Sequence, residues 1–211
     1  MTIYLIRHGK TEANEKHLYC GSTDLPLSVA GRQALQNIRY DIKNVRFITS
    51  GMKRTEETMR ILFGDVPYEI DSRFREVDFG IFEMHSYKQL KEIPEYQAWL
   101  DGDNEANIPP QGESGMQMKR RVLQALSEIV EDTCIITHGG VIAAIMEELF
   151  PEAGKNRYEW QPKPGCGYVI SGNAYQPILQ NRMSGGPVQR SHDPETCTDK
   201  NLRRLRHKDK R

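Results

Sequence analysis

The chain has 211 residues, 37% of them hydrophobic, with Lys+Arg and Asp+Glu balanced at 29 each and a mean hydropathy of -0.66. That supports one core-bearing domain. It also excludes a polyanion binder by net charge, and no apolar run approaches the roughly 18 residues of a membrane-spanning helix. The opening run Thr2–Ile6 meets Arg7 and His8 too early for a secretory leader, so the expectation is a cytoplasmic protein with reduced thiols at Cys20, Cys134, Cys166 and Cys197. These four offer no Cys-x-x-Cys pair for zinc.

In chain order, Thr2–Arg7 is an apolar run of strand length ended by Gly9. Residues 17–27, with Gly21, Asp24 and Pro26, form a loop, and Ser28 caps a helix reaching about Tyr40. Val45–Thr49 is a second buried strand. Ser50 then caps a helix whose Met52, Met59, Leu62 and Phe63 share a face. Between Pro67 and Asp103 the signals are short and mixed, with a helix near Pro94–Leu100 and a loop over Asn107–Gly112. Glu113–Glu131 carries the longest helical pattern, with Met116, Val122, Leu123, Leu126, Ile129 and Val130 as candidates for burial. Thr133–Thr137 is a third buried strand, with Cys134 as apolar filler, and His138-Gly139-Gly140 opens a helix through Phe150. Strands near Gly167–Ser171 and Ala174–Arg182 follow. Buried strands alternating with helices predict an α/β fold, three layers α/β/α with a mainly parallel sheet. The organisation expected is one domain over residues 1–182 and a basic, solvated tail over 183–211.

Open α/β sheets gather ligands beyond the carboxyl ends of their strands. Here those ends carry Arg7-His8-Gly9, Ser50 followed by Arg54, and His138-Gly139-Gly140. A parallel sheet brings two arginines, two histidines and two helix N-termini to one edge, a setting for a compact anion such as phosphate. Each element also has a plainer reading. A histidine at a strand end can be scaffolding, an arginine early in a helix a surface charge, and a Gly-Gly pair only a tight turn. Arg54 is harder to read plainly, because it stands against the helix dipole. Two histidines and a carboxylate could also hold a metal, but Arg7 beside His8 opposes a second cation there, and His17, His85, His192 and His207 add no ligand spacing. No metal and no cofactor is expected.

Residues Leu5-Ile6-Arg7-His8-Gly9-Lys10-Thr11-Glu12-Ala13-Asn14 resemble the Arg-His-Gly signature of the histidine phosphatase superfamily, in its phosphoglycerate-mutase-like branch. The likeness continues through Tyr19–Ser28 with Gly31, through Ser50–Thr58 around Arg54, through Phe74–Gly80 around Glu76, and through Thr137–Gly140. It implies His8 as phosphoryl acceptor, Arg7, Arg54 and a protonated His138 as holders of the phosphoryl oxygens, and Glu76 as proton donor. Asn14, Gly21 and the Gly139 amide are implied as pocket lining. Two positions depart from the family pattern: Phe82-Glu83-Met84 replaces the usual Trp-Glu-Gly, and Cys20 replaces a polar residue. For His8 to attack, it must be neutral, with its second ring nitrogen donating to a carbonyl. Without the resemblance, Glu76 reads as a surface carboxylate paired with Arg73 or Arg75.

The resemblance implies a metal-independent phosphatase for a small phosphorylated metabolite, through a phosphohistidine. The compact length and the Gly21–Leu27 loop look like the α-ribazole-phosphate phosphatases, and equally like broad-specificity members. The alternatives are a phosphoglycerate mutase and a non-catalytic phospho-ligand binding module. The acidic residues Glu83, Asp101, Asp103, Glu105 and Glu113 favour a substrate less anionic than a mutase's and a pocket open to water. The tail from Asn201 to Arg211 could contact nucleic acid, although such basic runs are usually solvated ends. The sequence sets no oligomeric state.

Overall fold

The computed structural model describes residues 1–103 and 105–178. The basic tail, and residues 179–182 of the expected last strand, lie outside them. Strands β1 (Thr2–Arg7), β2 (Arg46–Thr49), β3 (Glu69–Ile70), β4 (Thr133–Thr137), β5 (Gly167–Ser171) and β6 (Ala174–Pro177) form one sheet in the order β3-β2-β4-β1-β5-β6. The first four in that order run parallel, while β5 and β6 pair antiparallel. The helices are α1 (Glu12–Glu15), α2 (Val29–Gln36), α3 (Lys53–Phe63), α4 (Tyr87–Leu90), α5 (Pro94–Leu100), α6 (Gly115–Ser127), α7 (Gly139–Leu149) and α8 (Arg157–Trp160).

The strand residues alternate between two cores. Leu5, Ile48 and Ile135 pack with Val122 and Met118 of α6 and the apolar residues of α7. Their neighbours Ile6, Phe47, Cys134 and Ile136 pack on the other face with Leu35 of α2 and Met59 and Leu62 of α3. Because both faces of the central strands are covered, β4 is buried at all five positions and its sequence is a continuous apolar run rather than an alternating one. The expected α/β/α layering with a mainly parallel sheet is therefore the fold observed. Among the described residues no helix is long and apolar enough to cross a membrane.

Several expectations need correction. The helix begun at Ser28 stops at Gln36. Tyr40 lies beyond it, stacks near Phe63 and donates its hydroxyl to Gly165 O. Helix α6 starts after Ser114, whose hydroxyl accepts from Gln117 N, and Met116 and Val130 face solvent while Met118 and Ala125 fill the core. Ser50 does not cap α3: Met52 occupies that position with no side-chain cap. The hydroxyl of Ser50 is used elsewhere, as described below.

Candidate active site

The register of the parallel strands sets the site. Arg7 lies opposite Thr137, and Thr49 opposite Ile136, so the residues that follow each strand emerge at one edge of the sheet. His8 is held there by its backbone N–H, which donates to Thr137 O at 2.9 Å. The next residue is latched to α3, because Gly9 N donates to Thr58 Oγ1 at 2.9 Å. His8 and His138 then meet with ring centroids 5.1 Å apart and an interplanar angle of 64°.

His8 Nδ1 lies 2.6 Å from Gly9 O. A carbonyl can only accept, so Nδ1 carries the hydrogen and the lone pair sits on Nε2. Burial, then Arg54 and Arg7, hold the His8 pKa well below its usual 6.5. The ring is neutral near pH 7, as a nucleophile must be. His138 is also neutral: burial, then Arg54, His8, Arg7 and Arg121, push its pKa well down. The protonated His138 that the resemblance implies with substrate is thus not the form of the free site. In the free site the positive charge comes from the guanidinium groups, since the same charges that suit an anion oppose an imidazolium.

Arg54 is 1% exposed, and its guanidinium is aimed by three acceptors. Nη2 donates to Gly21 O at 2.7 Å, Nη1 to Thr23 O at 2.9 Å and Nε to His138 Nδ1 at 3.3 Å. Burial lowers its pKa, but a guanidinium stays charged in a protein. Arg7 donates Nη1 to Pro162 O at 2.8 Å. A Cβ on Gly139 would stand 3.1 Å from the Arg7 guanidinium carbon, so the bare glycine leaves room for it.

Glu76 is not a surface carboxylate paired with its neighbours. Arg73 binds Asp71 and Glu128, and Arg75 donates to Ser50 O. Glu76 instead accepts from Gly140 N at 2.9 Å, at the positive end of α7. A Cβ on Gly140 would collide with that carboxylate. The Gly139-Gly140 pair thus keeps space for one arginine and one glutamate, more than a turn requires.

The structure also places the remaining expected residues. Gly21 donates its N–H to Glu83 Oε1 and gives its carbonyl to Arg54, and a Cβ there would overlap the Val77 carbonyl. Asn14 closes a capping box: its Oδ1 accepts from Thr11 N at 3.0 Å and from Thr11 Oγ1 at 3.1 Å. Cys20 precedes Gly21 on the loop that Arg54 of α3 holds, and burial raises its thiol pKa. Met84 has φ +61°, in the left-handed region, which explains in physical terms why a glycine belongs there. Among the described residues no group of three or more His, Cys, Asp or Glu gathers as metal ligands.

Two organising residues escaped the sequence reading. Glu83 accepts from the N–H groups of Gly21, Ser22, Thr23 and Phe79 and from Thr23 Oγ1. A short loop of small residues with converging N–H groups needs an anion, but nothing in the sequence says which one. Arg121 donates to the carbonyls of Arg73, Arg75 and Glu76 and pairs with Glu113, which fixes the segment that carries Glu76. The expected acidic tone is largely absorbed in the same way, since Glu105 pairs with Arg157.

With this geometry in place, the comparisons are decisive at one level. The pattern of the histidine phosphatase superfamily, branch 1, matches residues 3–182. The chain belongs to that superfamily. Among the superfamily's curated proteins, the adenosylcobalamin/alpha-ribazole phosphatase of Escherichia coli K12 is 28% identical over 200 residues, covering 88% of this chain and 98% of the relative. A protein named "Probable phosphoglycerate mutase GpmB" from Salmonella arizonae is 28% identical over 163 residues, covering 71% of this chain and 74% of the relative. Among solved structures, a candidate alpha-ribazole-5'-P phosphatase of Escherichia coli K-12 MG1655 superposes with a TM-score of 0.75 at 25% identity, covering 89% of this chain and 99% of that one. A phosphoglycerate mutase from Thermus thermophilus shares the fold at a TM-score of 0.68, with 24% identity over 87% of this chain and 100% of its own. The superfamily's fold is this chain's fold.

Proposed function

We propose that this protein hydrolyses a small phosphomonoester by way of a phosphohistidine at His8. One observation carries the reading: a neutral imidazole, locked by Gly9 O so that Nε2 holds its lone pair, buried between two guanidinium groups. Nε2 attacks phosphorus and the P–O bond to the leaving group breaks. Glu76 gives its proton to the departing oxygen. Water then attacks the phosphohistidine, Glu76 takes back a proton, and inorganic phosphate leaves with His8 restored. Arg7 and Arg54 hold the phosphoryl oxygens, whose charge the transition state spreads over three equatorial positions. Asn14, Gly21 and the Gly139 amide line the pocket. No step is routed through a metal.

Hydrolysis is favoured over transfer by the wider match to a phosphatase, over 88% of this chain against 71% for the mutase-named relative, which makes alpha-ribazole phosphate the first substrate to try. The mutase reading draws on the GpmB similarity. Interconversion of phosphoglycerates with a bisphosphorylated primer separates the two. The primary test is turnover of an aryl phosphate with chelator present. The wild-type protein should turn over, His8→Ala should be inactive and Glu76→Ala should be at least about a hundredfold slower. A metal requirement, or an active His8→Ala, contradicts the assignment.

A further inference from the structure

His138 is joined to α3 by a chain of hydrogen bonds whose direction is fixed at both ends. Thr55 Oγ1 donates to Met52 O at 2.8 Å, which uses its one hydrogen. Ser50 Oγ, 3.0 Å from Thr55 Oγ1, must therefore donate to it. Having spent its own hydrogen, Ser50 Oγ can only accept from His138 Nε2, 2.9 Å away. At the far side of the ring Arg54 Nε, always a donor, points at His138 Nδ1. Either end alone demands hydrogen on Nε2 and a bare Nδ1, and the two agree. Ser50, Thr55 and His138 are fully buried, so no solvent competes for these bonds.

This arrangement conflicts with holding an oxyanion. A bare Nδ1 has no hydrogen to offer a phosphoryl oxygen. Moving the existing hydrogen from Nε2 to Nδ1 would require Ser50 and Thr55 to reverse, lose the Thr55 hydroxyl bond to Met52 O and bring Nδ1–H against the Arg54 Nε donor. Adding a proton from solvent costs only the 3.3 Å bond from Arg54 Nε, the longest in the chain. The groups facing His138 are Arg54 of α3, Arg7 and His8 at the end of β1, Arg121 of α6, and Glu76 on the Gly140 amide. Three guanidinium groups oppose an imidazolium in the free site, and a dianion placed among them reverses that balance.

We propose that Ser50 and Thr55 are positioning residues that hold His138 as its Nε2–H form, so that an oxyanion enters the site together with one proton, which settles on His138 Nδ1. The inference rests on the reading that an oxyanion binds between His8 and His138. Linkage then makes anion affinity fall as pH rises, because the bound state holds a proton that the free state lacks.

The test is 15N NMR of the full-length protein labelled at histidine nitrogens, with inorganic sulfate as a probe that stays a dianion through the neutral range. The His138→Asn spectrum assigns the signal. In the free protein, Nε2 should be protonated and Nδ1 bare. At saturating sulfate both should be protonated. Thr55→Val frees the Ser50 hydroxyl to donate to His138 Nε2, which places the ring hydrogen on Nδ1 and lets sulfate bind without taking up a proton, so the fall of sulfate affinity with rising pH should flatten. Thr55→Ser, which keeps the hydroxyl, should restore the wild-type pH dependence. A hydrogen on Nδ1 in the free protein overturns the proposal. So does a sulfate complex in which Nδ1 stays bare and the proton sits on His8, or a Thr55→Val protein whose sulfate affinity falls with pH as steeply as wild type. A protein that turns over aryl phosphate yet keeps Nδ1 bare refutes this inference alone. One that neither binds sulfate nor hydrolyses anything refutes the reading beneath it.

Discussion

A neutral His8 has a consequence for stability as well as chemistry. In the unfolded chain its imidazole titrates near 6.5, while burial and the two arginines hold the folded pKa well below that, and His138 behaves alike. Between those values the unfolded state binds protons that the folded state refuses, so ΔG of unfolding rises with pH. The contribution is complete above about pH 6.5 and is lost as pH falls below it. Urea midpoints should drop from about pH 7 to about pH 5, with each histidine adding up to about 1.4 kcal/mol per pH unit, and His8→Gln should flatten the slope. A midpoint insensitive to pH in that range contradicts buried, neutral rings. Gly140 gives a second test at this scale. Gly140→Ala places a methyl group where the Glu76 carboxylate lies, and that side chain can swing away. Turnover should fall at least about tenfold, while stability holds or rises by up to about 1 kcal/mol, as alanine in a helix allows. Equal loss of both would mean that the glycine serves packing alone. The histidines and arginines were legible as residues because they interrupt apolar runs at strand ends. The protonation state of His138 was not, since it depends on how many cations converge and how deeply they are buried.

Elements differ in how much of themselves they reveal. The strands over residues 2–7, 133–137 and 167–171 coincide with the expected spans because burial on both faces writes a continuous apolar run. Helix α5 coincides as well, marked by Pro94 at its first turn. The stretch between α3 and α6 resisted reading because it is held by side-chain to backbone bonds from Glu83, Asp78, Glu113 and Arg121, which impose no period. Ser50 was misplaced for a related reason: a serine after a strand looks like a cap, and only the fold reveals that His138 claims its hydroxyl. Glu83 shows what such an element-holding residue does. Glu83→Gln keeps the shape but replaces one accepting oxygen with a donor facing N–H groups. The loop that aims Arg54 should loosen, with stability lower by about 2 kcal/mol and kcat/KM lower by at least about tenfold. A chemical denaturation curve beside a steady-state assay measures both, and an unchanged pair would remove Glu83 from the account.

On the scale of the whole molecule, the two apolar layers do more than stabilise the sheet. They force four parallel strands into register, and the register brings residues 7, 8, 54, 76 and 138 to one edge from distant points in the chain. A molecule with no formal net charge thereby concentrates positive charge at one place. The fold class and the edge were readable from strand ends alone, whereas the loops that close around that edge were not. The proposed function comes down to one bond, between phosphorus and His8 Nε2. Protein mixed with an aryl phosphate, quenched by denaturant at alkaline pH within the first turnover and analysed by peptide mass spectrometry should carry one phosphoryl group on the peptide containing His8. That group should be lost on mild acid treatment and absent from His8→Ala. Steady turnover with no such adduct at His8, or an acid-stable phosphoryl group on another residue, would contradict the account.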